Sequence, residues 1–443
     1  MGQKRKKIVS LQVIMNSKER KNCVMILKTI KILTLLMLLS PLAVTAQTEN
    51  DEYLEYEDSL TENPLMADTM QAVLVPWPQN VQIQIDMLLE DPLFKKSQVA
   101  VEVYDLTADS VIYKHNERQL MRPASTQKII TAITAIDRLG GAYQFRTRLF
   151  YTGSISDGVL NGNVICQGGF DPKFNTDDMK AFVESLQKMG VDTIRGNLIA
   201  DVSMKDKDEY GEGWCWDDDN HVLTPLLISR KDKFMDKFLE FLQKEGVVVT
   251  GEIKTGVVPQ SARAICARFH TIDQILKPMM KESDNLYAES MFYQTAASGG
   301  AHPASARHAR AFTRQLIKKM GLNPDDYKVA DGSGLSLYNY VTAEEEVAFL
   351  RYAYNNINIY EHFLPSLPIA GVDGTLKNRM KGTHAADNVR AKTGTVTAIV
   401  SLAGYCTAAN GHNLCFSIIN QGLIREKAGR AFQDKVCLVL CNP

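Results

Sequence analysis

The sequence predicts a mixed α/β protein with a smaller inserted domain, and three observations carry that expectation. Strand-like runs near residue 100 lead into an amphipathic helix. The chain ends in a strand-rich stretch followed by a last helix. Between roughly 145 and 262 the texture changes to short strands separated by Gly and Asp turns. The 443 residues, 45% hydrophobic and 23% charged, suffice for two domains or one large domain with an insertion.

The N-terminal 46 residues carry nine Lys/Arg and one acid, Glu19, whereas the remainder holds 41 basic and 50 acidic side chains. A mildly acidic body argues against nucleic acid as a partner, because phosphate neutralisation needs a basic face. Lys28 and Lys31 lead into an apolar run at 32–39, then Pro41-Leu42-Ala43 and the small-residue site Val44-Thr45-Ala46. This pattern reads as a secretory signal peptide cleaved after Ala46, and so as an exported, periplasmic protein. The run is shorter than the roughly 20 apolar residues of a membrane span. Gln47, not Cys, follows the cleavage point, which argues against lipidation. The basic stretch ahead of Met25 suggests a start at Met15 or Met25.

Residues 47–73 hold eight Asp/Glu and no Lys or Arg, the composition of a solvated, disordered spacer. A helix is expected at 81–89, ended by Asp91-Pro92, then strands at 98–104 and 111–113 around a turn at Thr107-Ala108-Asp109. Pro123 stops the extended segment and Ser125 stands at a helix start. Ile129, Ile130, Ile133 and Ile136 give that helix a buried face, and Gly140-Gly141 ends it. Strands follow at 145–151, 159–167 and 193–200, with a helix at 176–189. Helical pattern returns at 234–244, 272–298 and 305–320, and Glu344-Glu345-Glu346 reads as the exposed start of another helix. Strands at 390–397, 398–407 and 413–419 precede a final helix at 424–440. The expected domains are therefore 74–144 together with 263–443, and an insert at 145–262.

Seven Cys follow the leader, an odd number without a CxxC or Cys/His pairing, and the eight His form no HExxH. Free thiols with at most one bridge are expected, and neither a metal nor another cofactor.

Three short motifs can carry chemistry. In Ser125-Thr126-Gln127-Lys128 the two ends lie one turn apart on one helix face, so Lys128 can reach the Ser125 hydroxyl. A serine needs such a neighbouring base, and a buried lysine beside a second cation has its pKa lowered enough to be one. In Ser283-Asp284-Asn285, a turn or helix start would aim Ser283 and Asn285 into one cleft, with Asp284 pointing elsewhere in a structural role. In Lys392-Thr393-Gly394-Thr395 a strand presents an amine, two hydroxyls and a glycine that lets backbone approach closely; these suit a free carboxylate and an oxyanion. Two decoys exist. Ser185-Leu186-Gln187-Lys188 falls in mid-helix and Lys254-Thr255-Gly256 at a strand end, and both read as ordinary surface.

Taken together and in this order, the motifs match a set shared by class A β-lactamases and penicillin-binding proteins. The chain resembles the class C low-molecular-mass penicillin-binding proteins, the D-alanyl-D-alanine carboxypeptidase/endopeptidase family. The 158-residue gap from Ser125 to Ser283, too long for a class A β-lactamase, suits that family's inserted domain. Further similar stretches are Gly168-Gly169-Phe170-Asp171-Pro172, Gly213-Trp214-Cys215-Trp216-Asp217-Asp218, Asp331-Gly332-Ser333-Gly334-Leu335-Ser336 and Gly371-Val372-Asp373-Gly374-Thr375-Leu376. One departure is a shortened insertion, since helical pattern resumes at Phe234, soon after Trp216.

The resemblance implies a serine transpeptidase/β-lactamase-like body, a mainly antiparallel sheet flanked by helices with the first and last strands adjacent. It implies Ser125 as the acylated nucleophile, Lys128 as its base and Ser283 as proton shuttle. Lys392, Thr393, Gly394 and Thr395 would bind the terminal carboxylate, and Asn285 the peptide backbone. The substrates would be peptidoglycan stem peptides, with β-lactams as covalent inhibitors. A serine β-lactamase, or a non-catalytic wall-binding protein that keeps the fold, are the competing readings. The first needs a water-positioning Glu, and no loop between Asn285 and Lys392 offers a convincing one.

Overall fold

The computed structural model describes residues 75–215, 218 and 221–442. The expected leader and acidic spacer, and Trp216 and Asp217, lie outside the described residues. In chain order the first elements are α1 (Gln79–Leu89), β1 (Gln98–Asp105), β2 (Ser110–His115), α2 (Gln127–Leu139), β3 (Gln144–Tyr151), β4 (Ser154–Ser156), β5 (Val159–Asn161) and β6 (Val164–Gln167). Next come α3 (Thr176–Lys188), β7 (Thr193–Ile194), β8 (Leu198–Asp201), α4 (Phe234–Lys244), β9 (Val248–Val249), β10 (Ile253–Thr255) and β11 (Arg263–Thr271). The chain closes with α5 (Ile272–Lys281), α6 (Asn285–Ala297), α7 (Ala306–Lys319), α8 (Ala343–Tyr354), α9 (Ile357–Phe363), β12 (Arg390–Val396), β13 (Ile399–Thr407), β14 (Asn413–Gln421) and α10 (Glu426–Cys441).

The principal sheet has five strands in the order β12-β13-β14-β1-β2, every pair antiparallel. First and last strands meet in register from Gln98 opposite Gln421 to Asp105 opposite Leu414. The mixed α/β class and the antiparallel body anticipated from sequence are what the chain adopts. Alternation along the strands feeds two cores. Ala100, Tyr104, Ala403, Tyr405 and Ile419 face α2, α5, α6 and α8, while Val99, Val101, Val103, Leu402 and Phe416 face α1 and α10. A sheet covered on both faces needs apolar residues at consecutive positions, which is why β13 is buried from Ile399 to Cys406.

Between α2 and α5 two smaller sheets form, β10-β8-β6-β3-β11 and β4-β5-β7-β9. Single strands expected at 159–167 and 193–200 are each split, because the chain changes sheets from β5 to β6 and again from β7 to β8. Glycines sit at these crossings for want of space. A Cβ on Gly162 would lie 1.9 Å from the Thr152 carbonyl oxygen, and one on Gly196 would lie 2.2 Å from that of Gly162. In the five-stranded one of these two smaller sheets, β11 pairs with β3 from Arg263 to Thr271.

Two further expectations change. The helical pattern at 272–298 is broken into α5 and α6, because Ser283 takes a left-handed conformation (φ 61°) and Asp284 caps α6 by accepting the Tyr287 N–H. The Glu triplet does begin α8, but Glu345 and Glu346 are fully buried, not exposed. Glu346 accepts a 2.7 Å hydrogen bond from Ser417 on β14, a partner 71 residues away that local pattern does not reveal. All seven described cysteines are free thiols, most of them buried.

Candidate active site

A turn of 3₁₀ helix, Ala124–Thr126, carries Ser125 into the start of α2. Ala124 has φ 49°, a strained conformation held by its surroundings. Ser401 on β13 donates to the Pro123 carbonyl (2.5 Å), and Thr126 donates to the same oxygen (2.8 Å). The turn is thereby fixed to the sheet while Ser125 itself stays half-buried, facing the cleft.

Lys128 lies one turn on and is fully buried. Its Nζ is 2.9 Å from Ser125 Oγ, 2.7 Å from Asn285 Oδ1 and 2.7 Å from the Ser333 carbonyl oxygen. A neutral amine has two N–H groups and one lone pair. Donating to Asn285 and Ser333 leaves the lone pair for the Ser125 proton. Burial lowers Lys128 to about 8, against the opposing pull of Asp331, Glu289 and Asp284.

Lys392 on β12 is also fully buried, and burial together with the Lys128 charge holds it well below the ordinary lysine value. Its Nζ donates to Ser283 Oγ (2.8 Å) and to the Thr393 carbonyl (2.6 Å). Ser283 and Asn285 flank the capping residue Asp284, whose carboxylate turns away to pair with Arg230 at 2.7 Å. Gly394 joins the two halves: a Cβ there would lie 2.9 Å from the Ser125 nitrogen, 2.8 Å from the Pro123 oxygen and 2.1 Å from Ser401 Oγ. Thr393 is half-buried and Thr395 exposed on this edge strand. Pro368 and Ile369 cover the start of that edge, where the Ala391 N–H donates to the Pro368 carbonyl (3.0 Å), and pairing ends there.

All eight residues anticipated from sequence thus fall in one region, along the edge of β12, the Ser125 turn and the start of α6. The decoys do not. Ser185 donates to the Ala181 carbonyl within α3, Lys188 is solvated beside Glu184, and Lys254 stands exposed on β10.

Sequence reasoning missed the frame behind Lys128. Asp331 accepts hydrogen bonds from Trp214 Nε1 (2.7 Å), Ser333 Oγ (3.2 Å), Asn339 Nδ2 (2.8 Å) and the backbone N–H groups of Gly334 and Ser336 (2.8 Å each). Buried Glu289 on α6 accepts the N–H groups of Gly332 and Ser333, and burial with the nearby Asp331 pushes it up to about 8. Together they shape the loop that presents the Ser333 carbonyl. The stretch at 331–336 was visible as a likeness, but nothing in it announced that a main-chain oxygen would hold the lysine.

The arrangement can deliver a serine nucleophile with a neutral lysine base, a second hydroxyl in contact with a second amine, and hydroxyls beside an open strand edge. A family model described as the D-Ala-D-Ala carboxypeptidase 3 (S13) family matches residues 81–226 and 227–442. The D-alanyl-D-alanine carboxypeptidase DacB of Haemophilus influenzae is 25% identical over 413 residues, covering 74% of this chain and 86% of the relative. The D-alanyl-D-alanine carboxypeptidase of Actinomadura sp. (strain R39) is 26% identical over 481 residues, covering 86% and 87%. Among solved structures, penicillin binding protein 4 of H. influenzae superposes with a TM-score of 0.74 at 25% identity, covering 80% of this chain and 97% of that one. A peptidoglycan endopeptidase from Bdellovibrio bacteriovorus shares the fold, with a TM-score of 0.54 at 17% identity over 78% and 93% of the two chains.

Proposed function

Because the chain belongs to the D-Ala-D-Ala carboxypeptidase 3 (S13) family, its activity is that of a serine D-Ala-D-Ala peptidase, and we propose that Ser125 is its nucleophile and Lys128 its base. The observation that carries this assignment is Lys128 Nζ, dry and 2.9 Å from Ser125 Oγ, with acceptors for both of its N–H groups.

As Ser125 Oγ attacks the penultimate D-Ala carbonyl, its proton passes to the Lys128 lone pair. The backbone N–H groups of Ser125 and Thr395 stabilise the oxyanion, since Gly394 brings β12 against the Ser125 turn. Ser283, in contact with Lys392, gives its proton to the departing amine and is reprotonated with the proton held by Lys128, which returns to the neutral amine. Water then attacks the Ser125 ester; the neutral Lys128 accepts the water proton and returns it to Ser125 Oγ as the ester bond breaks.

Lys392, Thr393 and Thr395 bind the carboxylate of the leaving group, and Asn285 Nδ2 holds the stem-peptide backbone. A terminal D-Ala and the D-centre of a cross-bridge both carry a carboxylate one carbon from the scissile nitrogen. The same pocket therefore serves carboxypeptidase and endopeptidase cleavage. β-Lactams, which also place a carboxylate beside a reactive amide, acylate Ser125. In this reading the sheets from β3 to β11 form the inserted domain, and residues 1–46 export the chain to the periplasm. Among the described residues no helix is long and apolar enough to cross a membrane.

The test is digestion of purified peptidoglycan, with products resolved by mass. Wild type should release D-Ala or split dimers, and Ser125→Ala should do neither. Full activity in Ser125→Ala would remove the assignment.

A further inference from the structure

We propose that Thr375 is a further substrate-binding residue, its hydroxyl completing the carboxylate end of the cleft beside Thr393; this rests on the reading that the β12 edge holds the leaving-group carboxylate. Thr375 lies in a short 3₁₀ turn, Gly374–Leu376, and is exposed. Its Oγ1 is 2.7 Å from Thr393 Oγ1, and among the described residues each hydroxyl is hydrogen-bonded to the other alone.

Two hydroxyls that share one hydrogen bond keep one proton for a third group. If Thr393 donates to Thr375, the Thr375 proton is free to meet an anion. If the rotors reverse, Thr375 donates and the Thr393 proton is the free one. In either state one O–H is directed outward and strengthened by its neighbour. A carboxylate has acceptor sites to spare, and hydrogen bonds to ionised groups are roughly twice as strong as neutral ones.

The turn is held in place by the segment that leads to Ser283. Asp373 accepts both contacts of the Lys281 ammonium (2.8 and 2.6 Å) and the Ile369 N–H (2.9 Å). Gly374, at φ 57°, passes so close to this segment that a Cβ would lie 2.7 Å from the Lys281 carbonyl oxygen. Lys281 stands two residues before Ser283, which touches Lys392. Thr375, Thr393, Lys392 and Ser283 are therefore coupled through short contacts, and Thr375 stands at the solvent side of that chain.

The experiment uses two reactive thiolesters of one N-acyl-D-alanine, the leaving thiol bearing either a carboxylate or the matching carboxamide. Thr375→Val removes the hydroxyl and keeps the volume; Thr375→Ser keeps the hydroxyl. Losing one hydrogen bond to a charged group should lower kcat/KM of Thr375→Val on the carboxylate thiolester about tenfold and on the carboxamide by no more than about twofold. Thr375→Ser should restore the difference. An equal fall on both thiolesters, or none on either, would overturn the role of Thr375. Wild type that forms no acyl-enzyme with thiolester or penicillin would instead overturn the peptidase mechanism beneath it.

Discussion

Lys128 and Ser125 stand one helical turn apart, with Nζ 2.9 Å from Oγ and the lysine wholly removed from solvent. Burial lowers the Lys128 ammonium to about 8. The neutral amine is the base, so the rate of Ser125 acylation should climb with pH through that value and level off above it. Lys128→Arg keeps a cation but no lone pair, and should slow acylation on the order of a thousandfold. Stopped-flow acylation between pH 6 and 10 checks both statements.

Gly394 marks a steric limit. With Ser401 Oγ, the Pro123 carbonyl and the Ser125 nitrogen all within 2.9 Å of an added Cβ, Gly394→Ala must push β12 away from the nucleophile turn. Displacements of about 1 Å at a reacting centre cost on the order of a hundredfold, so kcat should fall by that order. Steady-state kinetics and a melting curve on the same sample separate this from unfolding.

Asp331 gathers five hydrogen bonds behind the lysine, from Trp214, Ser333, Gly334, Ser336 and Asn339. Asp331→Ala leaves those donors buried and should destabilise the protein by about 3 kcal/mol, whereas Trp214→Phe, which removes one of them, should cost about 1 kcal/mol. Urea unfolding measures both.

Glu346 should show in the pH dependence of stability. Burial pushes it up to about 7, with the hydrogen bond from Ser417 working the other way. A carboxyl whose folded pKa is raised contributes stability that is complete below its unfolded value, near 4.5, and lost as pH rises through the folded one. Glu346→Gln abolishes that titration. It should raise the melting temperature at pH 8 relative to wild type by more than it does at pH 5, which calorimetry at the two pH values tests.

Much of this site could be read from the chain because its parts are local. The spacing from Ser125 to Lys128 fixes a helical relation, and Lys392-Thr393-Gly394-Thr395 fixes a strand with one unobstructed position. Ser283 and Asn285 were harder, because helical periodicity runs on both sides of them and only the left-handed Ser283 and the Asp284 cap part α5 from α6. The rest depended on contacts distant in sequence. Glu345 and Glu346 look like a solvated helix start until β14 covers them. The Ser333 carbonyl carries no side-chain signal at all. Thr375 lay in a stretch noted for its likeness, but its meeting with Thr393 depends on the Lys281–Asp373 pair.

The most direct measurement of the central claim is mass spectrometry of the protein after incubation with penicillin, with peptide mapping of the adduct. A covalent penicilloyl group on the peptide containing Ser125, absent from Ser125→Ala, is the predicted result. An adduct on another residue, or one that persists in Ser125→Ala, would contradict it.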